Sequence, residues 1–311
     1  MFLKAAFKNA SVFVQILMLL AIISLCTFFS VALVSLLISV KMGTSPEVIN
    51  NILQNFYDYP DLMRSAQFIQ TVGVFLLPAI VCAWLFSDNY KEYLRIDHPI
   101  HLPIAVWAVV SMIVAVPFLN LTYSFNQQML FPEAFRGLEN WMKASETEAD
   151  KLTQLLLDTK STPTIIFNFL AICVIAALCE EFMFRGLLQT LLGRIFRNPH
   201  VIIWAVAILF SAVHLQFYGF ITRMLLGAWL GYLMYFTKTI WIPVLAHFTN
   251  NFLTVGIYYL FRNAPDEMQK LDTIGSGSTW WIAIASLTLF IFCFVQIKKR
   301  VTNDTISESV K

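Results

Sequence analysis

Six side chains able to do acid, base or hydrogen-bond chemistry lie in segments apolar enough for hydrocarbon. Glu180, Glu181 and Arg185 interrupt the apolar run 164–192, His214 stands near the far end of 201–217, and His247 and Asn251 lie inside 242–260. A charged side chain at the centre of a membrane helix costs roughly 2.5–3.5 kcal/mol on insertion scales, so such residues mark buried polar sites. Their presence in three consecutive apolar segments points to one convergent constellation. Carboxylates, imidazoles and a carboxamide together can activate water and stabilise an oxyanion.

Spacing assigns parts within the set. Glu181 and Arg185 are four residues apart, so they share a helix face and can pair, which favours the ionised carboxylate. Glu180 points about 100° away around the same helix and is available as a base. Arg197 lies in a loop, with Glu180 seventeen residues before it and His214 seventeen after. At 1.5 Å per residue both sit about 25 Å from that turn on antiparallel helices, where they could hold one water between them. A lone histidine in an apolar helix is ordinarily a packing residue; the matching depth is what argues for more. His247 and Asn251 are again four apart, early in a helix that Pro243 suits as a start, and their N–H groups form a candidate oxyanion pair. The plainer reading is interhelical hydrogen bonding. Asn250 points elsewhere. Arg223, with Gln216 and Tyr218 nearby, fits helix-end pairing better than capture of a substrate carboxylate. Cys179 abuts Glu180 and reads as a small packing residue rather than a nucleophile. Gly227 and Gly231 permit close helix packing.

These residues need a bundle of helices to hold them. The 311-residue chain is 58 % hydrophobic and 13 % charged, with mean hydropathy +0.70, which sets it apart from soluble domains. An all-α, polytopic transmembrane helix bundle is expected. Its eight candidate spans are 11–40, 66–87, 102–122, 164–192, 200–217, 220–237, 241–261 and 279–297. The apolar run after Lys4 and Lys8 is about thirty residues long, beyond the roughly 7–15 of a signal peptide, so an uncleaved first helix is expected. The net charge of +2 and the lack of a basic, aromatic-interleaved patch exclude nucleic acid as a partner. The five cysteines form no CxxC pair, so neither a disulfide framework nor a thiolate zinc site is indicated.

Lysine and arginine clusters at Lys4 and Lys8, Lys91 and Arg95, Arg194 and Arg197, and Lys298 to Arg300 fall on one side of an even-span topology, which places both termini in the cytoplasm. The long segment 123–163 is then external. Its Leu138, Trp141, Met142, Leu152, Leu155 and Leu156 recur at helical spacing among charges, predicting amphipathic surface helices. Pro163 suits the first turn of the fourth span. Residues 275–278 read as a flexible connection, and 302–311 as a disordered polar tail. No internal repeat is visible. The chain divides by content into 1–163, the N-terminal spans and amphipathic segment; 164–261, the helices with the polar constellation; and 262–311, an external loop, the last span and the tail.

Three motifs then carry a family resemblance. Glu180-Glu181-Phe182-Met183-Phe184-Arg185 resembles the EExxxR motif of the CAAX protease and bacteriocin-processing family (CPBP, or Abi), the type II CAAX prenyl endopeptidases. Phe210-Ser211-Ala212-Val213-His214 is similar to its FxxxH motif, and His247-Phe248-Thr249-Asn250-Asn251 to its HxxxN motif. The resemblance covers about 164–255, in the expected order. It implies an α-helical intramembrane peptidase with a membrane-associated peptide or protein as substrate and lipid as surroundings, and the compact chain without organelle signals suits a bacterial inner membrane. By the same resemblance Glu180 and His214 would position and deprotonate water, His247 and Asn251 would stabilise the oxyanion, and Glu181 and Arg185 would organise the site. Glu180, His214 and His247 could also supply a zinc set with an open position. No HExxH helix is present, and water activation with no cofactor or metal is the expectation. The same polar pocket could instead serve a non-catalytic scaffold, peptide-binding or immunity protein, since the family includes members with no demonstrated peptidase activity. A proton-coupled transporter is the weaker alternative, because the polar residues cluster in one half of a chain without repeat symmetry.

Overall fold

A computed structural model describes residues 3–43 and 45–309, and among these every regular element is helical. The long helices are α1 (Val12–Met42), α2 (Pro60–Phe86), α3 (Leu102–Gln127), α4 (Arg136–Leu157), α5 (Thr162–Leu192), α6 (Pro199–Ala212), α7 (Phe220–Thr237), α8 (Trp241–Phe261) and α9 (Trp280–Ser309). The fold is thus a polytopic helical bundle.

All eight expected spans are helices, but they differ in reach. Helices α1, α2, α3 and α5 and the stretch Gly277–Asn303 are long and apolar enough to cross a membrane. The 31 residues of α1 extend about 46 Å, beyond a hydrocarbon core of about 30 Å, which calls for tilt or projection. Helix α6 is apolar but has only 14 residues, about 21 Å. Helices α7 and α8 fall outside the group because Arg223, His247, Asn250 and Asn251 dilute their hydropathy. In α8 two of them, His247 and Asn251, are residues that could do chemistry.

The helices gather into two compact units. The first takes the chain up to Leu94 together with Ala149–Ile195. Its helices α1 and α2 pack through Val34, Ile38, Leu62 and Ala66. Helix α2 meets α5 through the ring pairs Phe68–Phe167 and Phe75–Phe184. The end of α4 is capped by Arg64, whose Nε donates to the Leu156 carbonyl at 2.9 Å and whose Nη2 donates to those of Leu155 and Asp158. Three orphan carbonyls of a helix C-terminus are thereby satisfied by one buried guanidinium. At another end of this unit Lys8 pairs with Asp88 and Arg194 bonds Gln15. Those cationic clusters therefore share one end, as expected.

The second unit comprises Arg95–Glu148 and the chain from Phe196 onward. Its core joins Ile104, Ala108 and Met112 of α3 to Trp229, Leu230 and Leu233 of α7, Ile242 and Ala246 of α8 and Ile297 of α9. Pro117 interrupts α3 and deprives it of one backbone bond. The Ser286 hydroxyl enters the same turn, donating to the Val114 carbonyl and accepting from Phe118 N–H.

Two expectations need correcting. Residues 275–278 are not a loose connection: Gly275 has φ +94, and a Cβ there would stand 2.1 Å from the Pro117 carbonyl oxygen. Gly275 N–H also donates to Thr279 Oγ1, and Asn120 binds the Leu271 and Ile274 carbonyls. Helix α9 continues through Thr302 to Ser309, where polar composition predicts disorder. An established helix extends cheaply, one bond for each residue fixed. Val310 and Lys311, the end of the expected tail, lie outside the described residues. The amphipathic expectation for 123–163 resolves into the single helix α4, with Met142, Leu156 and Leu157 buried and Leu138 and Trp141 exposed.

Candidate active site

The acidic half belongs to the first unit. Helix α5 is α-helical over Ala176–Glu181, with π-helical stretches Phe169–Ile175 before it and Phe182–Leu188 after it. Such wide turns inside α-helices recur at functional sites. Arg185 Nη1 donates to Glu181 Oε1 at 2.9 Å, with both side chains 0 % exposed. The pair expected from i,i+4 spacing is therefore present and withdrawn from solvent. Glu180, one position earlier, is only partly buried, so the two adjacent carboxylates occupy different environments. Cys179 is fully buried, the setting of a packing thiol rather than a reactive one.

The histidine half belongs to the second unit. Helix α6 ends at Ala212, and His214 lies in the turn that closes it, followed by Leu215 at φ +54. The seventeen-residue offset from Arg197 therefore does not convert to depth at 1.5 Å per residue. A loop, a short helix and a turn share that interval, and the π-helical stretch likewise breaks the even rise on the Glu180 side.

His214 Nδ1 lies 2.7 Å from the Phe210 carbonyl oxygen. A carbonyl only accepts, so Nδ1 carries the proton, and whenever the ring is neutral its lone pair is at Nε2. This bond satisfies a terminal carbonyl of α6 while fixing the tautomer. The Phe210 side chain, 1 % exposed, packs against two imidazoles. Its centroid is 5.1 Å from that of His214 and 5.8 Å from that of His247, with interplanar angles of 65° and 79°. Phe210 itself is seated against Gly227, where a Cβ would stand 3.0 Å from Phe210 Cδ1. The glycine expected to allow close packing thus admits the ring that both histidines touch.

His247 is buried on α8, and Asn251 lies one turn on. Asn250 Nδ2 donates to Asn251 Oδ1 at 3.2 Å, which makes the Asn251 carbonyl an acceptor and its NH₂ the donor side of that amide. Asn250, which helical spacing directs elsewhere, is the residue that orients its neighbour. Arg223 binds Gln216 through Nη2–Oε1 at 2.8 Å and through the Gln216 carbonyl, the helix-end pairing expected.

The segment after His214 is held by residues that no motif announces. Tyr218 N–H donates to Glu146 Oε2 at 3.1 Å, and Trp141 packs on Phe217 with centroids 5.0 Å apart. Asn126 donates to the Phe217 carbonyl and accepts from Ile221 N–H. The apolar spacing of α4 hints at Trp141; nothing in the sequence points to Glu146 or Asn126. Glu180 and His214 fall in different units, and their partnership rests on the motifs. Among the described residues no three His, Cys, Asp or Glu side chains are gathered as a metal-holding group.

Known proteins resemble this chain over part of its length. The uncharacterized protein YpbD of Bacillus subtilis (strain 168) is 28 % identical over 112 residues, which cover 35 % of this chain and 52 % of that protein. The match thus spans about half the length of that curated relative. No solved structure matches. The segment that carries all three motifs, residues 162–253, matches the family described as Type II CAAX prenyl endopeptidase Rce1-like, which bears out the resemblance read from those motifs.

Proposed function

We propose that this multi-pass integral membrane protein is an intramembrane endopeptidase that hydrolyses a peptide bond of a membrane-associated protein or peptide. Glu180 takes a proton from water, with His214 Nε2 as its partner in positioning and proton transfer. The water oxygen attacks the scissile carbonyl carbon. The oxyanion that forms accepts hydrogen bonds from His247 and from Asn251 Nδ2. Collapse of the tetrahedral species breaks the C–N bond, and the amine leaves with the proton Glu180 took up. Glu181 and Arg185 act indirectly, by fixing the helix turn that presents Glu180. No metal is needed in this scheme, because the carboxylate and the imidazole supply the base.

The observation that carries this reading is the bond from His214 Nδ1 to a backbone carbonyl, inside the segment 162–253 that matches the family. The test compares the termini of membrane peptides in cells carrying wild type, Glu180→Gln or His214→Ala. New termini should arise with wild type alone, while both variants insert and accumulate normally. Unchanged termini across all three would favour a non-catalytic peptide-binding role. Stoichiometric zinc in active protein, lost together with activity on chelation, would replace the metal-free scheme with a Glu180, His214 and His247 zinc site.

A further inference from the structure

One end of the second unit collects positive charge with little to balance it. Three of its segments meet there: the start of the unit at Arg95–His101, the turn between α7 and α8, and the end of α9. The first two are tied by Ile240 N–H to the Arg95 carbonyl at 3.1 Å, Thr239 Oγ1 to the His98 carbonyl at 3.0 Å and Trp241 Nε1 to the Ile96 carbonyl at 3.0 Å. The third joins through Lys298, whose Nζ lies 5.7 Å from the ring centroids of both Phe236 and Phe294. Residues 95–101, 236–241 and 294–300 together hold five Lys or Arg and one acid, Asp97. That acid is already engaged, its Oδ1 2.9 Å from His98 Nδ1.

The two central cations occupy backbone positions that favour glycine. Arg95 has φ +59 and Lys238 φ +57, the left-handed region that side chains with a Cβ enter at a cost. Lys238 closes α7, its N–H bonded to the Met234 carbonyl, and a cation suits a helix C-terminus. Glycine would close the helix more cheaply, so the side chains themselves need a reason. Neither Arg95 nor Lys238 has an acidic partner among the described residues. Lys238 is exposed as a residue, yet its amine sits over the Tyr235 ring, 4.3 Å from the centroid. Partial loss of water and then the nearby Arg95 guanidinium push that amine below its usual range. Three hydrogen bonds to the carbonyls of Arg95, Ile96 and His98 hold the turn that carries Lys238 against the segment that carries Arg95, so two cations share one corner of the unit.

The geometry points to a phosphate-binding site at Arg95 and Lys238, with Lys298 at its edge, that takes the headgroup of an anionic phospholipid. Guanidinium and ammonium groups suit a phosphate diester, the first as a fork and the second as a point charge. Aromatic rings and cations at the ends of apolar helices are the usual furniture of a membrane interface, where anionic headgroups concentrate. Phosphate chemistry could also arrive as a soluble anion. The apolar helices that end here favour the lipid.

The test uses the full chain in nanodiscs and counts retained lipid by native mass spectrometry. Wild type should hold phosphatidylglycerol in preference to phosphatidylcholine. Arg95→Gln/Lys238→Gln should lose that preference by about thirtyfold, the scale of two interfacial cations. Arg136→Gln/Lys270→Gln, which removes two cations elsewhere on the same unit, should keep it. Lys238→Gln alone should lose part of it, and serves if the double variant does not fold. Arg95→Lys should restore most of it. Equal retention by wild type and the Arg95/Lys238 double variant overturns the site. Displacement of the lipid by millimolar inorganic phosphate overturns the lipid assignment in favour of a soluble anion. None of these readouts depends on peptidase activity.

Discussion

The ring of Phe210 meets the imidazole of His247 at 79°, with centroids 5.8 Å apart, and it meets His214 as well. One aromatic side chain therefore touches two histidines from different segments. Such edge-on contacts are directional, worth about 0.5–1.5 kcal/mol each beyond area burial. Phe210→Leu keeps the site apolar while removing the ring edges. It should lower kcat at least tenfold with little change in KM, the signature of misplaced reacting groups. Phe210→Tyr should retain more activity than Phe210→Leu. A loss of protein abundance with kcat intact would assign Phe210 to packing alone.

The same ring predicts the cost of filling Gly227. A methyl there would stand 3.0 Å from Phe210 Cδ1 and 3.3 Å from Ala207 Cα. The second contact is backbone and cannot swing away, so Gly227→Ala should destabilise by about 1–3 kcal/mol. Combining it with Phe210→Leu should recover part of that loss, because the smaller side chain frees the space. Thermal unfolding of the four proteins in detergent gives the coupling, and strict additivity would remove Phe210 as the cause.

Glu181 and Arg185 bear on stability through the cost of separating them. With both side chains at 0 % exposure, removing either one strands a charge in the bundle, at about 3–5 kcal/mol. Arg185→Met and Glu181→Leu should each lose that much. The double variant should be less destabilised than either single change, since no lone charge remains. It should nevertheless cleave poorly if the pair positions Glu180. A double variant that folds and cleaves like wild type would strip the pair of any role in the site.

How much of this can be read from the chain follows from what sets each feature. The pair Glu181–Arg185 is legible because helical spacing alone puts the residues on one face. The helices themselves are legible from apolar runs, to within a few residues for most. His214 is legible as a polar residue in an apolar run, but its depth is not. The run 201–217 stays apolar past Ala212, whereas the backbone turns there with Leu215 left-handed. Hydropathy is blind to such a cap. Asn250 escapes a spacing argument because its side chain acts on the adjacent residue, not along the helix face. Glu146 and Asn126 act through backbone groups of a distant segment, and backbone groups look alike in every sequence.

The tautomer of His214 is open to direct measurement. Nitrogen-15 spectra of the neutral ring should show a protonated Nδ1 and a bare Nε2, as the carbonyl of Phe210 requires. A ring protonated at Nε2 would remove the lone pair from the proposed reaction and refute the assignment of His214 as water partner. The measurement needs no substrate, so it separates the geometry from the question of activity.

Glu146 offers the last prediction, because it governs the turn beyond His214 without belonging to any motif. Its carboxylate accepts the Tyr218 N–H at 3.1 Å while Trp141, on the same helix, covers Phe217. Glu146→Ala removes that acceptor and should cost about 1–3 kcal/mol locally, while Glu146→Gln keeps an acceptor oxygen and should cost less. The loss should be confined to the segment, since Asn126 still binds Phe217 and Ile221. Hydrogen exchange should then quicken at residues 213–219 in Glu146→Ala, with helices α7 and α8 unchanged, because a local opening need not unfold its neighbours. Unaltered exchange at Tyr218 would mean that α4 merely lies over the turn. Faster exchange joined to a lower kcat would make α4 the external support that holds His214 in place.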